Sequence, residues 1–367
     1  MQTLTENRVY NFSPGPAMLP EPVMVHIREE FLNYAGLGAS IIEISHRSKE
    51  FEAVVDGAIG LFRELVSLPD GYTVLFVHGG GRMQFSAVPM NLIGRVPSKK
   101  ALYVETDAFS TNAIQDAAPY GEIKVIASSR DSGFDRIPEV ALGIVDQDAA
   151  YLHITTNNTV YGTRWNRFPD TGGVPLVGDA TSEILSRVVD YSRFGVMYAG
   201  MQKNLGPSGT AIVVVRKDLL GSALPVTPPL LNYAIEDKNR SLLNTPSTFN
   251  IYVAKLVMQW IKDNGGVAEI ERRNNKKAQL LYDCLDSSRF YRGVVQREHR
   301  SIMNVTFKLP TEPLADEFVK KAGKEGLYAL KGYRAVGGIR ASLYNAMPVE
   351  GAEALASFMR EFERTSG

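Results

Sequence analysis

The sequence has a single cysteine, Cys284, among its 367 residues. One thiol cannot form an intramolecular disulfide, and it cannot supply the several sulfur ligands of a multi-cysteine zinc site. The sequence therefore predicts no metal site of that kind. We interpret Cys284 as a small apolar residue of a helix rather than as a nucleophile.

The sequence also lacks an excess of charge of either sign and a long apolar run. Lys and Arg together number 40, as do Asp and Glu, so the formal net charge is zero. This balance gives no support for binding to nucleic acid or to an anionic membrane. Apolar stretches such as residues 252–261 are too short to span a bilayer, and the N-terminus has no apolar signal core. We therefore predict a cytoplasmic protein whose partner is a small molecule.

What the sequence does contain is the pattern of an α/β protein. Hydrophobic residues make up 44% of the chain, enough for a sizeable core, and 367 residues exceed the usual size of a single core. From about residue 50, short apolar runs alternate with amphipathic segments. Because the runs are nearly continuous in Val, Ile and Leu, they favour a largely parallel sheet buried on both faces. The predicted strands are residues 73–77, 101–104, 123–126, 150–154, 175–177, 196–199 and 211–215, and helices are predicted at 51–67, 83–92 and 109–117.

The pattern of apolar residues changes after Pro246, where helix-like and strand-like segments form an α+β pattern that predicts a second, smaller domain. We predict a large domain over residues 21–264 and a small domain formed by residues 1–20 together with 265–367. The extended segment 11–16 cannot be helical and is expected to pack across the molecule. The elements predicted in this part are helices at 248–264, 267–285, 314–325 and 349–364 and strands at 302–307 and 337–341.

Lys203 is the most informative single residue. It lies between two apolar strand-like runs, in a segment (199–209) too rich in Gly and Pro to be an ordinary solvated helix face. A desolvated lysine can lose its proton near neutral pH and attack a carbonyl, forming a Schiff base with a substrate or with pyridoxal phosphate. One lysine among 40 basic residues is weak evidence alone, so other residues must support this interpretation.

A glycine-rich turn, residues 78–82 with the sequence His-Gly-Gly-Gly-Arg, follows the first predicted strand and begins a helix. Its backbone N–H groups and the helix dipole would bind an anion, although a tight strand-to-helix turn explains the glycines equally well. The HGGG sequence also resembles the oxyanion loop of lipases and esterases, which requires a G-x-S-x-G nucleophile elbow. Residues 206–210 depart from that elbow at Thr210, and no Walker phosphate loop is present. A phosphate held by the backbone and Arg82 without Mg²⁺ is the alternative.

Asp179 ends the apolar run that forms another predicted strand. As an isolated residue it is interpreted equally well as a helix N-cap or as the partner of a cofactor cation. Pyridoxal phosphate requires an acid that keeps its ring nitrogen protonated, so a Schiff-base lysine 24 residues later favours the cofactor. Residues 155–159 would add hydroxyl and amide groups at the same strand edge, where ligands of such sheets bind.

Several stretches resemble the phosphoserine aminotransferase family, which consists of class-V, fold-type-I pyridoxal-phosphate enzymes. The resemblance covers nearly the whole chain and implies a large domain with a mainly parallel seven-stranded sheet between helices plus a smaller α+β C-terminal domain. The matching stretches are residues 11–20, 44–51, 78–85, 199–209 and 337–342.

The resemblance implies roles for individual residues. Lys203 would hold the cofactor and shuttle a proton, and Asp179 would lie at the ring; these two are the catalytic candidates. His46, Arg47, Arg334 and Arg340 would bind the anionic substrates, because guanidinium groups bind carboxylate and phosphate bidentately. Asn244 and Thr245 would reach the cofactor phosphate of the other subunit, so the family implies a homodimer with shared sites. The remaining implied cofactor contacts are Gly81, Arg82, Phe109, Thr159 and Gln202.

The activity implied by the resemblance is transamination between L-glutamate and 3-phosphohydroxypyruvate, giving O-phospho-L-serine and 2-oxoglutarate in serine biosynthesis. The phosphorylated hydroxythreonine precursor of pyridoxine is a second implied acceptor. Three alternatives stay open: an aminotransferase of the alanine–glyoxylate or serine–pyruvate type, a serine hydrolase built on the HGGG loop, and a non-catalytic binding protein.

Three positions depart from the family pattern. Phe109 stands where many members have a Trp, and a Phe can still stack on a ring with less area and no indole donor. Tyr333 replaces a common His, and Met201 replaces a common Ala near Lys203. These departures concern the fine geometry and substrate affinity of the site, not the class of reaction.

Overall fold

The computed structural model describes residues 8–334 and 336–367. Its strands are β1 (Tyr10–Asn11), β2 (Tyr72–His78), β3 (Lys100–Glu105), β4 (Glu122–Ser128), β5 (Leu152–Thr155), β6 (Leu176–Asp179), β7 (Val196–Gly200), β8 (Thr210–Arg216), β9 (Arg292–Gly293), β10 (Asn304–Lys308), β11 (Leu327–Tyr328) and β12 (Ile339–Ser342). Its α-helices are α1 (Glu21–Glu30), α2 (Lys49–Leu65), α3 (Gly80–Leu92), α4 (Ala108–Ala117), α5 (Tyr233–Lys238), α6 (Thr248–Asp263), α7 (Gly266–Ser287), α8 (Glu312–Lys324) and α9 (Val349–Ser366).

A seven-stranded sheet with the order β2-β8-β7-β6-β5-β3-β4 forms the centre of the molecule. Its strands are parallel except for β8, which runs antiparallel to both β2 and β7. Residues 201–209 alone join β7 to β8, and so short a connection suits antiparallel neighbours rather than a crossover. The central strands are buried on both faces, as their continuous apolar sequences require. The predicted α/β class and largely parallel sheet are confirmed.

Helices cover both faces of this sheet. On one face, α2 buries apolar residues at helical spacing, including Phe51, Val55 and Phe62, in the same cluster as Val257 of α6. Ser48 caps α2 by accepting a hydrogen bond from the Phe51 N–H at 3.2 Å. The other face packs against α3 and α4 in a separate apolar cluster. The sheet is therefore a buried middle layer.

A second core is built from β10, β12 and the helices α8 and α9. It contains Phe307, Phe318 and Phe362, and it also buries Phe12 of the N-terminal segment. Strand β1 pairs in parallel with β11, and the Ala17 N–H then donates to the Gln202 carbonyl at 2.9 Å. The N-terminal segment thus runs from the second core to the edge of the large sheet, as its sequence predicted.

The seven predicted strands of the large sheet all exist, each within two residues of its predicted bounds. The sequence interpretation missed helices α1 and α5 and the two-residue strands β1, β9 and β11. Within the described part of the chain, no helix combines the length and the hydropathy needed to cross a membrane.

Candidate active site

The carboxyl ends of β2, β5, β6 and β7 meet at one edge of the sheet and border a cavity of about 220 Å³. This is the edge at which ligands of α/β sheets bind. The turn after β2, the end of β6 and the turn after β7 each carry a predicted site residue to this edge. The predicted residues that line the cavity are Gly81, Arg82, Phe109, Thr159, Asp179, Gln202, Lys203 and Arg340.

Lys203 is buried in this cavity, with 7% of its surface exposed. Its Nζ donates to the Thr159 hydroxyl oxygen at 2.5 Å and lies 5.4 Å from the centre of the Phe109 ring. Burial lowers the pKa of Lys203 to about 8, although the carboxylates of Asp179 and Asp107 oppose that shift. About a tenth of the amine is therefore unprotonated at pH 7, far more than for an ordinary lysine, and the unprotonated form is the one that a nucleophilic lysine requires.

Asp179 is the last residue of β6 and is buried beside Thr155 of β5 in the sheet register. Its Oδ1 accepts the Thr181 N–H at 2.9 Å, but residues 181–185 form turns, so it does not cap a helix. Burial raises the pKa of Asp179, and hydrogen bonds from Thr181 together with the charge of Lys203 oppose this. The hydroxyl of Thr155 is buried and has no partner, so it is free for a ligand.

The glycine-rich turn forms an anion cradle at the start of α3. Gly79 has φ of 86°, in the left-handed region, and this turns the chain from β2 into the helix. A β-carbon built on Gly81 would lie 3.2 Å from the backbone nitrogen of Gly200, so only a glycine lets the start of α3 pack this closely against the end of β7. The N–H groups of the first turn of α3 face this space with the positive end of the helix dipole.

Arg82 contributes to this cradle through its backbone rather than its guanidinium group. Its side chain forms a two-point ion pair with Asp116, with N···O distances of 2.6 and 3.0 Å, and packs over the Phe85 ring. Arg82 therefore lines the cavity from the first turn of α3, its charge is paired with Asp116, and its contact with a cofactor phosphate stays a prediction.

Sequence reasoning missed Asp107, which fixes the position of Phe109. Asp107 caps α4 by accepting the N–H groups of Phe109 at 2.7 Å and Ser110 at 3.0 Å. It is fully buried, its Oδ2 has no partner, and burial raises the pKa of Asp107 to about 6. An Asp followed three residues later by Ser is a capping signal that the sequence did contain.

The predicted substrate residues divide into one inside the cavity and others outside it. Arg340 of β12 is 6% exposed, and its Nε is buried without a partner. Arg334 is exposed and does not line the cavity, whereas its neighbour Tyr333 does. His46, with an unpartnered buried Nε2, and the exposed Arg47 lie outside the lining of this single chain.

Asn244 and Thr245 are also exposed and outside the cavity lining. Ser208, the serine of the elbow-like segment, is exposed, and no histidine contacts it within the described residues. The site therefore has a buried lysine, a buried acid and an anion cradle, and among the described residues it shows no serine–histidine pair of a hydrolase.

Comparison with known proteins agrees with this geometry. The class-V aminotransferase family matches residues 9–355. The chain is 49% identical to the phosphoserine aminotransferase of Bacillus cereus over 97% of this chain and 98% of the relative. The solved phosphoserine aminotransferase of Bacillus circulans subsp. alkalophilus superposes with a TM-score of 0.95 and 45% identity, covering 99% of this chain and 100% of that one.

A third similar protein is a solved phosphoserine aminotransferase from Trichomonas vaginalis with bound pyridoxal phosphate. It superposes with a TM-score of 0.91 at 33% identity and covers 96% of this chain and all of its own length. Identity and coverage at this level extend well beyond a shared fold. The chain therefore belongs to the class-V aminotransferases and, within them, to the phosphoserine aminotransferase family.

Proposed function

We propose that this chain is a pyridoxal-phosphate-dependent transaminase that moves the amino group of L-glutamate to 3-phosphohydroxypyruvate and so forms O-phospho-L-serine and 2-oxoglutarate. The observation that carries the proposal is the buried amine of Lys203, whose pKa is lowered to about 8. It lies in one cavity with the buried acid Asp179 and the α3 anion cradle. Family membership at 49% identity supports the same reaction.

The residues present fit pyridoxal phosphate. The N–H groups at the start of α3, where Gly81 and Arg82 line the cavity, suit the phosphate. The unpartnered Thr155 hydroxyl and the buried Asp179 suit the polar edge of a pyridine ring. Phe109 offers a face for stacking. When bound, the cofactor supplies an aldehyde and an electron-accepting ring. Lys203 would hold the aldehyde, and Asp179 would keep the ring nitrogen protonated.

The side chains of this site then perform acid–base work. The Lys203 amine, near its pKa at neutral pH, can both accept and return a proton at the substrate α-carbon. Asp179 is costly to ionise in its buried position, and a cationic ring nitrogen beside it removes that cost. The cavity is buried enough to strengthen both electrostatic interactions.

Arg340 is the proposed anchor for substrate carboxylate. Its guanidinium is buried with an unpartnered Nε, so it has a free hydrogen-bond donor inside the cavity. A carboxylate would accept from that Nε–H and from a terminal guanidinium N–H together, as a bidentate pair. His46, Arg47 and Arg334 stay proposed for the remaining charges of glutamate and the phosphorylated keto acid.

We further propose that the active unit is a homodimer in which Asn244 and Thr245 complete the partner's site. Large apolar side chains are exposed in the chain segment that precedes His46 and Arg47, with Leu32 81% and Ile42 53% exposed, and a second copy would cover them. Sedimentation of wild type as a dimer, and of the Leu32→Glu/Ile42→Glu variant as an inactive monomer, would support this. The matched control is Val188→Glu, at another exposed apolar site. An active wild-type monomer would exclude the proposed homodimer.

The main experiment is a coupled assay of phosphoserine formation from glutamate, with cofactor absorbance followed in the same cuvette. We expect a visible band of lysine-bound cofactor that Lys203→Ala abolishes together with activity. Equal efficiency with pyruvate, glyoxylate and the phosphorylated acceptor would favour the alanine–glyoxylate or serine–pyruvate type instead. Use of the phosphorylated hydroxythreonine precursor, a cytoplasmic location and the domain boundaries stay predictions.

A further inference from the structure

Residues 14–17, here called the N-terminal strap, cover the side chain of Lys203. Pro14 and Gly15 line the cavity, and a β-carbon built on Gly15 would lie 3.1 Å from Lys203 Cγ and 3.5 Å from Cε. The Ala17 N–H holds the end of the strap by donating to the Gln202 carbonyl at 2.9 Å. The strap therefore keeps water away from the alkyl chain that carries the amine.

The phenol of Tyr344 fixes the other end of this strap. Tyr344 is buried, and its hydroxyl donates to the Pro14 carbonyl at 2.8 Å. The same oxygen accepts a hydrogen bond from Asn304 Nδ2 at 3.3 Å. It also interacts with the hydroxyl of Thr159, which holds the Lys203 amine at 2.5 Å. One phenol thus contacts both the strap and the partner of the reacting amine.

The backbone of Tyr344 is held independently of its phenol. Lys277 of α7 is 1% exposed, and its Nζ donates to the carbonyls of Leu343 and Tyr344 at 2.8 Å each. Asn304 also donates to the Ser342 hydroxyl at 3.0 Å. Removing the Tyr344 hydroxyl alone should therefore leave the end of β12 in place, so its effect can be assigned to the strap.

We propose that Tyr344 is a positioning residue that holds the N-terminal strap and Thr159 around Lys203 and so shields the reacting amine from water. This inference rests on the proposed function of Lys203, since it concerns how that amine is prepared. The strap acts through water exclusion, which is the main cause of the lowered pKa of Lys203. The charged groups that face the amine are Asp179, Asp107 and Arg340, and Tyr344→Phe leaves all three side chains in the protein.

The test compares Tyr344→Phe with Tyr291→Phe. Tyr291 is also buried and also donates to a backbone carbonyl, that of Met359 at 2.8 Å, but it lies in the second core outside the cavity lining. Full-length protein freed of cofactor is mixed with pyridoxal phosphate, and the rate of cofactor capture is followed by absorbance from pH 6 to 10. Amide hydrogen exchange of Ala17 is measured on the same samples.

For Tyr344→Phe we expect the pH midpoint of capture to rise by about one unit, because admitted water stabilises the ammonium form. Capture at pH 7 then becomes about tenfold slower and recovers at high pH, since each unit changes the unprotonated fraction about tenfold. The Ala17 amide exchanges faster. Tyr291→Phe keeps the wild-type midpoint and exchange rate.

A second variant tests the strap without touching Tyr344. Gly15→Ala places a methyl group against Lys203 Cγ and should raise the pH midpoint of cofactor capture, as Tyr344→Phe does. Gly36→Ala is the control for backbone strain, because Gly36 also has a positive φ but has open space around it. A wild-type midpoint in both Tyr344→Phe and Gly15→Ala would overturn the inference. Absence of capture by the wild type would instead overturn the proposed function.

Discussion

Gly81 lies directly against Thr181, so closely that a β-carbon built on Gly81 would be 2.8 Å from the Thr181 hydroxyl oxygen. That hydroxyl is itself fixed, because it accepts the Gly200 N–H at 3.1 Å. The first turn of α3 is thereby packed against the end of β7, with no room for a side chain at Gly81.

Gly81→Ala is therefore expected to weaken pyridoxal phosphate binding by at least about tenfold, roughly 1.4 kcal/mol, because the methyl group displaces the cradle. Fluorescence titration of cofactor-free protein measures the affinity. Gly60→Ala in α2 is the matched control: its β-carbon meets open space, and the substitution should raise the free energy of unfolding by about 0.5–1 kcal/mol. Wild-type affinity in Gly81→Ala would show that the cofactor phosphate binds at another site.

Asp179→Asn should separate cofactor capture from turnover. The Asp179 carboxylate raises the pKa of Lys203, so its neutral replacement lowers that pKa below about 8 and makes capture at pH 7 faster. Turnover should fall about a hundredfold or more, because no acid then holds the ring nitrogen. Capture kinetics and kcat are measured on the same preparation.

The control for this prediction is Asp190→Asn. Asp190 accepts the Ser192 N–H at 2.9 Å, the same local hydrogen bond that Asp179 makes with Thr181, but it is exposed and outside the cavity lining. It should leave capture and kcat unaltered. Parallel slowing of both steps in Asp179→Asn would contradict the electrostatic role.

Arg340→Lys is expected to raise KM for glutamate and for the keto acid by about 30-fold, roughly 2 kcal/mol, because an ammonium cannot form the paired hydrogen bonds of a guanidinium. The melting temperature should change little, since the Arg340 Nε has no partner to lose. Steady-state kinetics with each substrate, beside Arg292→Lys at an exposed position, give the comparison. A change confined to kcat would argue against a binding role.

Lys277 predicts a pH dependence of stability. Burial lowers the pKa of Lys277 to about 7, below its unfolded value, so the unfolded chain binds more protons between these two values. Stability contributed through this residue therefore rises with pH across that window. The free energy of unfolding of wild type relative to Lys277→Met should increase from pH 7 to 10, by at most about 1.4 kcal/mol per unit.

Denaturant titrations at several pH values measure this difference. Lys276→Met, at the exposed neighbour that pairs with Glu353 at 3.7 Å, should show no such rise. A pH-independent difference between wild type and Lys277→Met would show that the buried amine keeps the same charge in both states.

The large sheet could be predicted because buried parallel strands are continuous apolar runs, which the sequence displays locally. Helix α1 was missed because only Val23 and Ile27 are buried, too few to give a helical period. Helix α5 spans only Tyr233–Lys238. Strands β1 and β11 pair Tyr10 with Leu327, and no local pattern reports so distant a contact.

The candidate site was predictable where its residues directly follow strands. Lys203 and Asp179 stand at strand ends, and the sheet then brings them to one edge. Tyr344 was not predictable, because its contacts with Pro14 and Thr159 join distant parts of the chain. The position of the Arg82 guanidinium was equally hidden, since it depends on Asp116 of another helix.

The reversed direction of β8 has a consequence for the catalytic cycle. Because β7 turns straight back into β8, Lys203 lies in a short connection whose two ends are both held in the sheet. Gly200 pairs with Ala211, and the Met201 N–H donates to the Thr210 carbonyl at 3.0 Å. If Lys203 holds the cofactor as proposed, the backbone that carries its amine would stay fixed when the amine is released. Recapture of the cofactor would then depend on the protonation state of the amine rather than on movement of the backbone.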